Sequence, residues 1–322
     1  MVVCERTEAI WRVGPTSESM KHVAILVLLV AFTWPVLAAP QDTLKVSVDL
    51  VNVLFTVADR RGRFVPGLRA EDFVVEEDGK RQEIRHFARE NELPLTIGML
   101  IDTSPSVRPV FDEEKVTATG FLESILRPSD LALVIGFDRS VTLVQDYTES
   151  SRRLKAAIEE LEIGGGTSLY DAVYLACREK LNREAGRKAV ILISDGEDTT
   201  SKTKFVEALI AAHQSDAVIY SISNRGGSFL YRGLGRGGDP GTLRKFSEET
   251  GGAMFFVDNK NSFKKIFDQI AQELRSQYSL GYMSTNTARD GKYRLIRIIP
   301  RDSSYMVKAR KGYYAPKSTE GY

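Results

Sequence analysis

Apolar and polar positions along this chain follow three successive rhythms. In the first, VSVDLVNVLFTVAD over residues 46–59 alternates with period two, the spacing of a half-buried strand. RRG-R at 60–63 punctuates it as a turn, and FVVEEDGKRQEIRHFA over 73–88 reads as a hairpin on Asp78-Gly79. In the second, over 95–277, short continuous apolar runs alternate with helical patterns. The runs LTIGMLID, LALVIGF, VTLVQ, KAVILISD, AVIYSIS and AMFFV predict strands, and near-continuous apolarity predicts strands covered on both faces. Between them the spacing predicts helices within 107–126, 149–161, 168–184, 203–214 and 241–251, with a last one within 261–277. Asp130 and Asn261-Ser262 offer caps at helix boundaries. The third rhythm returns to strands: YSLGYMS, KYRLIRIIP after an Arg289-Asp290-Gly291 turn, and YMVKARKGYYA.

Strand–helix alternation of this kind gives a doubly wound α/β fold with a mostly parallel sheet. The chain ends on both sides of it then supply strands for a small β-sandwich-like region, since a doubly wound domain brings its two ends to one side. The expected organisation is 39–93 as an N-terminal β region, 94–277 as the wound domain and 278–322 as C-terminal strands and tail.

Ahead of these lies a different segment. Met20-Lys21-His22 precedes the apolar run Val23–Trp34 and the small-residue exit Val36-Leu37-Ala38. That run is short for a membrane span and suits a signal peptide cut before Ala39, so residues 1–38 are set apart and 1–19 read as an extension before the true start. The mature protein is then exported, periplasmic or extracellular, without a stable transmembrane anchor. Cys177 is the one cysteine left after Cys4 is removed, and its spacing with Leu169, Val173 and Leu181 makes it a core residue.

Charge adds little. The 322 residues carry Lys+Arg 44 against Asp+Glu 43, with no basic stripe, which argues against nucleic-acid binding.

The informative chemistry sits at strand ends. In open α/β sheets the working crevice lies at the carboxyl ends of the strands, where strand order reverses. Three segments arrive there: Asp102-Thr103-Ser104-Pro105-Ser106, the loop Gly164-Gly165-Gly166-Thr167-Ser168, and Ser194-Asp195-Gly196-Glu197-Asp198. With strand order 3-2-1-4-5-6, Asp102 and Asp195 are neighbours. Two carboxylates with several hydroxyls, and neither histidine nor thiol, form an all-oxygen set suited to Mg²⁺, with Ca²⁺ or Mn²⁺ as alternatives. The D-x-S-x-S spacing lets alternate residues of an extended turn point the same way.

These motifs, in this order and between these strands, resemble the metal-ion-dependent adhesion site of von Willebrand factor A domains. The flanking stretches VDLVNVLFTVADRRGRFVPGLRAEDFVVEEDGKRQEI and GKYRLIRI…VKARKGYYAP resemble the acidobacterial branch of von Willebrand factor A-related proteins. The resemblance implies Ser104 and Ser106 as direct ligands, Thr167 as a ligand directly or through water, and Asp102 and Asp195 mostly through water. It implies that a partner protein's Asp or Glu completes the shell. Pro105 stands where the family more often has glycine, which pushes Ser104 toward an extended backbone.

Enzyme readings fit poorly. No histidine accompanies Ser104, Asp102 or Asp195 in triad order, and GIGGGTS lacks the lysine of a phosphate-binding P-loop. A Mg²⁺-dependent phosphoryl-transfer enzyme using Asp102 as nucleophile would want an acid at position 104, where serine stands. The expectation is a non-enzymatic protein-binding module; the alternative is a scaffold whose site holds no metal. The glycine- and arginine-rich stretch 224–241 is either a flexible connection or a specificity rim beside the metal.

Overall fold

The computed structural model describes residues 50–89, 93–223 and 239–317. The signal segment 1–38, with Cys4 and His22, lies outside the described residues, as do residues 224–238 of the glycine-rich stretch.

The first strands are β1 (Leu50–Ala58), β2 (Phe73–Glu77), β3 (Lys80–Gln82) and β4 (Ile84–Arg89). The wound region follows with β5 (Leu95–Asp102), α1 (Phe111–Ile125), β6 (Leu131–Phe137), β7 (Val141–Thr148) and α2 (Ser151–Glu159). It continues through α3 (Leu169–Tyr174), β8 (Arg187–Ser194), α4 (Phe205–Ser215), β9 (Val218–Ser223), α5 (Pro240–Thr250), β10 (Met254–Phe256) and α6 (Phe263–Arg275). The last strands are β11 (Tyr278–Met283), β12 (Tyr293–Pro300), β13 (Met306–Ala309) and β14 (Gly312–Tyr314).

The central sheet has the order β10-β9-β8-β5-β6-β7, with β7 alone antiparallel. Its middle strand β5 is buried at every position, which is why LTIGMLID reads as an unbroken apolar run. Side chains still alternate between the two faces. Ile97, Met99 and Ile101 pack with Phe111, Phe121, Ile158, Phe263 and Phe267 of α1, α2 and α6. Leu100 packs on the other face with Leu169, Val173, Ala208, Leu243 and Phe246 of α3, α4 and α5. Cys177 is buried in that second layer beside Leu169, Val173 and Leu181, and burial pushes its thiol up to about 12, consistent with a packing role.

The remaining strands build two four-stranded sheets, β13-β1-β11-β4 and β14-β12-β2-β3. N- and C-terminal segments interleave: β1 pairs antiparallel with β11 and β13, and β2 with β12. The sheets share a core of Val53, Phe55, Phe73, Val75, Tyr278, Leu280 and Ile296, in which the Phe55 ring meets Phe73 edge-on at 5.2 Å and stacks on Tyr278 at 5.6 Å. α6 is tied to this region by Glu273, whose carboxylate accepts from Lys308 Nζ at 2.6 and 2.7 Å and from the Tyr220 hydroxyl at 3.1 Å.

Four local expectations are corrected. The hairpin on Asp78-Gly79 forms, with φ of 49° and 78° at the two turn residues, but its return arm stops at Gln82; Ile84–Arg89 crosses to the other sheet and pairs with β11. YMVKARKGYYA is likewise two strands, β13 and β14, that pair in different sheets. The helix expected over 168–184 is α-helical only through Tyr174, then widens to a π turn over Leu175–Lys180 and tightens to a 3₁₀ turn at Leu181–Arg183. Asp130 caps no helix; its carboxylate accepts from the amides of Leu95 at 2.8 Å and Arg127 at 2.9 Å, anchoring the start of β5. Ser262 does cap α6, accepting from the Lys265 amide.

Candidate metal centre

β5 and β8 are adjacent and in register, Ile101 opposite Ile193, so their carboxyl ends emerge side by side. Asp102 is the last residue of β5, and Asp195 follows the last residue of β8. Both are buried, at 0% and 2% exposure. Burial pushes the Asp102 carboxyl up to about 6; the neighbouring Asp195 charge adds to this, while hydrogen bonds from Ser194 and Ser104 oppose it. Excess negative charge in a desolvated place is a cation-binding environment.

The first loop arranges its hydroxyls differently from the extended turn that the spacing suggested. Ser104 is extended (φ −68°, ψ 160°), as a residue before proline should be, but Pro105–Val107 then closes into a 3₁₀ turn. The two hydroxyls nevertheless meet: Ser104 Oγ and Ser106 Oγ lie 2.9 Å apart. The Ser104 amide donates to Asp102 Oδ1 at 2.8 Å, so the first loop closes on its own carboxylate.

The second loop is fastened to both others. The Gly164 amide donates to the Thr103 carbonyl at 2.8 Å, joining it to the first loop. The Thr167 amide donates to Thr199 Oγ1 at 2.9 Å, and the Thr167 carbonyl accepts from the amides of Thr199 at 2.8 Å and Thr200 at 3.0 Å, joining it to the third. Thr167 is thereby held at 4% exposure. Gly166 takes φ +81°, a left-handed conformation that a side chain would resist.

The structure thus brings Asp102, Ser104 and Ser106 into one hydrogen-bonded loop, sets Asp195 close enough to Asp102 to perturb its titration, and stitches the Thr167 loop to both. Among the described residues no group of three or more His, Cys, Asp or Glu is placed to hold a metal. The candidate set contains two carboxylates and takes its other donors from hydroxyls, which is the donor chemistry of a hard cation.

Two residues around the centre, Asp138 and Thr199, escaped the sequence reading, and Ser194 entered it only as the first residue of the third segment, with no role of its own. Ser194 Oγ donates to Asp102 Oδ2 at 2.6 Å and accepts from the Gly196 amide at 3.0 Å. Asp138, just past β6, accepts from the Ser140 amide and hydroxyl and from the Gly165 amide; these bonds outweigh burial and hold its carboxyl below the usual range. Thr199 clasps Thr167 as described. The signal available for Asp138 was its place, an acid ending the strand next to β5 at the same rim. Ser194 and Thr199 carried no signal in spacing.

Residues 97–197 match the family model of the von Willebrand factor type A domain. No curated protein sequence matches the chain. Among solved structures, proximal thread matrix protein 1 of the mussel byssus, with a zinc-occupied MIDAS motif, is similar at 19% identity and TM-score 0.48, covering 60% of this chain and 48% of that one. A von Willebrand factor type A protein from Catenulispora acidiphila is similar at 12% identity and TM-score 0.46, covering 84% and 74%. The vWF domain of the type V pili tip protein Mfa5 from Porphyromonas gingivalis is similar at 14% identity and TM-score 0.42, covering 56% and 95%. The chain spans about half the length of the mussel protein.

Proposed function

We propose that this chain, whose residues 97–197 are a von Willebrand factor type A domain, is an exported, non-enzymatic binding module that holds a carboxylate of a partner protein through a divalent cation. Asp102, Ser104, Ser106, Thr167 and Asp195 would hold the ion, Mg²⁺ by the hardness of the donor set, with Ca²⁺ or Mn²⁺ as alternatives. The observation that carries the reading is the pairing of Ser104 Oγ with Ser106 Oγ at 2.9 Å beside the buried Asp102 carboxylate. When bound, the ion supplies a positive centre with a coordination position open to an oxygen of the partner.

The chain's own groups support an acidic partner. Arg108, two residues past Ser106, and Arg139, beside Gly166, are exposed, and neither forms an ion pair among the described residues. Cations at the rim of a binding site speed the encounter with an acidic surface and leave the contact sensitive to salt. The export reading rests on the segment 1–38. No helix among the described residues is long and apolar enough to cross a membrane. The domain organisation proposed is the β region 39–93, the wound domain 94–277 and the C-terminal strands 278–322, with the adhesive face on the wound domain alone.

The test is the melting temperature of the full mature chain in EDTA and in Mg²⁺, Mn²⁺ or Ca²⁺. A ligand bound by the folded state alone at a hundred times its Kd stabilises by about 2.7 kcal/mol. Saturable stabilisation that disappears in Ser106→Ala, a variant of a half-exposed residue that should fold, supports the reading. Identical melting with and without every ion would leave the metal-free scaffold as the better account.

A further inference from the structure

At the opposite end of the wound sheet from the candidate metal centre, where β8 and β9 begin, a cavity of about 80 Å³ lies between the wound domain and β1. A single water needs on the order of 10–15 Å³ of such space, so the cavity has room for a small polyatomic ion or several waters. Its wall is basic. Arg187, Lys188 and Arg310 line it against the single carboxylate of Asp216, with His213, Asn52 and Thr250 completing the polar lining; the Thr250 hydroxyl is already taken up by the Ile219 amide and the Phe246 carbonyl.

Most of these groups already have partners, and the donors and acceptors left over define what would fit. Arg187 directs its guanidinium to the carbonyls of Leu93 and Leu274 and contributes charge. Arg310 gives Nη1 to Asp216 Oδ1 at 2.5 Å and Nη2 to the Asn52 carbonyl at 2.6 Å. Its Nε is buried and has no hydrogen-bond partner among the described residues. Lys188 Nζ uses one of its three donors on the Glu184 carbonyl at 3.2 Å. His213 is 4% exposed, and its Nδ1 has no partner among the described residues. In the neutral ring with its proton on Nε2, Nδ1 is an acceptor. The cavity therefore offers unused donors on Arg310 and Lys188, one unused acceptor on His213, and an excess of positive charge.

We propose that this cavity binds monohydrogen phosphate as the free ion. Its charged oxygens accept from Arg310 Nε and Lys188 Nζ, and its remaining P–O–H donates to His213 Nδ1. Sulfate has the same shape and charge, but at neutral pH it has no proton to give and would face the His213 lone pair unpaired. An unsatisfied buried acceptor is costly, so the site discriminates between two nearly isosteric anions. This site is independent of the metal centre and does not rest on the adhesive reading.

Melting of the full chain in EDTA at pH 7.5, with inorganic phosphate, glycerol phosphate or sulfate titrated at matched ionic strength, tests this. EDTA removes any contribution from the metal centre, so failure here says nothing of metal binding. The expected result is a saturable rise in melting temperature with phosphate that sulfate does not reproduce and that Lys188→Met abolishes. Glycerol phosphate, a dianion without a P–O–H at this pH, should like sulfate give no saturable rise; a rise equal to that of inorganic phosphate overturns the assigned proton donation to His213. His213→Phe, which fills the site with an apolar ring, should remove the phosphate effect, and direct calorimetric titration reads the same loss if that variant melts too low. Equal, non-saturating stabilisation by phosphate and sulfate, or an unchanged phosphate shift in Lys188→Met, overturns the proposal.

Discussion

Ser194 Oγ donates a 2.6 Å hydrogen bond to Asp102 Oδ2 across the seam between β8 and β5. It is a short bond to a fully buried carboxylate, and the same hydroxyl accepts from the Gly196 amide in the loop that carries Asp195. One side chain thus fixes the orientation of the first carboxylate and the course of the loop holding the second.

Ser194→Ala should therefore do more than remove a hydrogen bond. Bonds to charged groups contribute about 1.5–3 kcal/mol, and the Asp102 oxygen left behind is buried. Urea denaturation in EDTA should show a loss of that order, with the slope unchanged. In Mg²⁺ the half-saturating concentration read from the melting shift should rise as well. Ser194→Thr keeps the hydroxyl and should restore both. A wild-type Mg²⁺ response in Ser194→Ala would mean that the hydroxyl supports the fold and not the ion site.

Gly164 and Gly165 make a matched pair for the second loop. A Cβ at Gly164 would fall 1.6 Å from Asp138 Oδ2, whereas one at Gly165 would meet nothing within 4 Å. Asp138 cannot yield cheaply, because it is held by the Ser140 amide at 2.7 Å, the Ser140 hydroxyl at 2.9 Å and the Gly165 amide at 3.2 Å. Gly164→Ala should cost roughly 1–3 kcal/mol by breaking this set and displacing the Thr167 loop. Gly165→Ala should be nearly neutral. Melting of the two variants side by side, with and without Mg²⁺, checks the contrast; equal behaviour would show that Asp138 does not anchor the loop.

How much of this was legible beforehand depends on what each feature encodes locally. β5, β6 and β8 were legible because burial on both faces forces an apolar run, and strand order followed from the alternation of strands and helices. Asp102, Ser104, Ser106 and Asp195 were legible because they sit where those runs stop. The crossover at Glu83 was not, since the chain changes sheets through ordinary polar residues without glycine or proline to mark the break; at Arg310-Lys311 the following Gly312 was the one local mark, and it was read as lying within a single strand. The π turn after Tyr174 was hidden as well, because a widened turn preserves the apolar face on which the period is read. The role of Ser194 was invisible for another reason: its partner is 92 positions away, and only strand register brings them together.

The joint between the wound domain and the C-terminal strands should respond to acid through His213. The ring is buried between α4 and the tyrosines of β12 and β14, 5.6 Å from Tyr293 and 5.7 Å from Tyr314. Burial, reinforced by the Arg310 charge, lowers its pKa from 6.5 to about 4, while Glu249 and Asp216 pull more weakly the other way. In the unfolded chain the imidazole takes a proton near its ordinary value; in the folded chain it resists until about pH 4. The unfolded state therefore binds more protons across this window, and stability must fall as pH falls. The contribution is intact above pH 6.5 and is drained on reaching pH 4, by roughly 3 kcal/mol for a shift of this size. Carboxylates titrating in the lower half of the window add their own slope, so the informative comparison is with His213→Gln. That variant should start less stable at pH 7.5, having lost a packed ring, yet lose less stability between pH 6.5 and 5, where few carboxylates titrate. Parallel curves for the two proteins over that interval would show that the imidazole is protonated as readily in the folded chain as in the unfolded one.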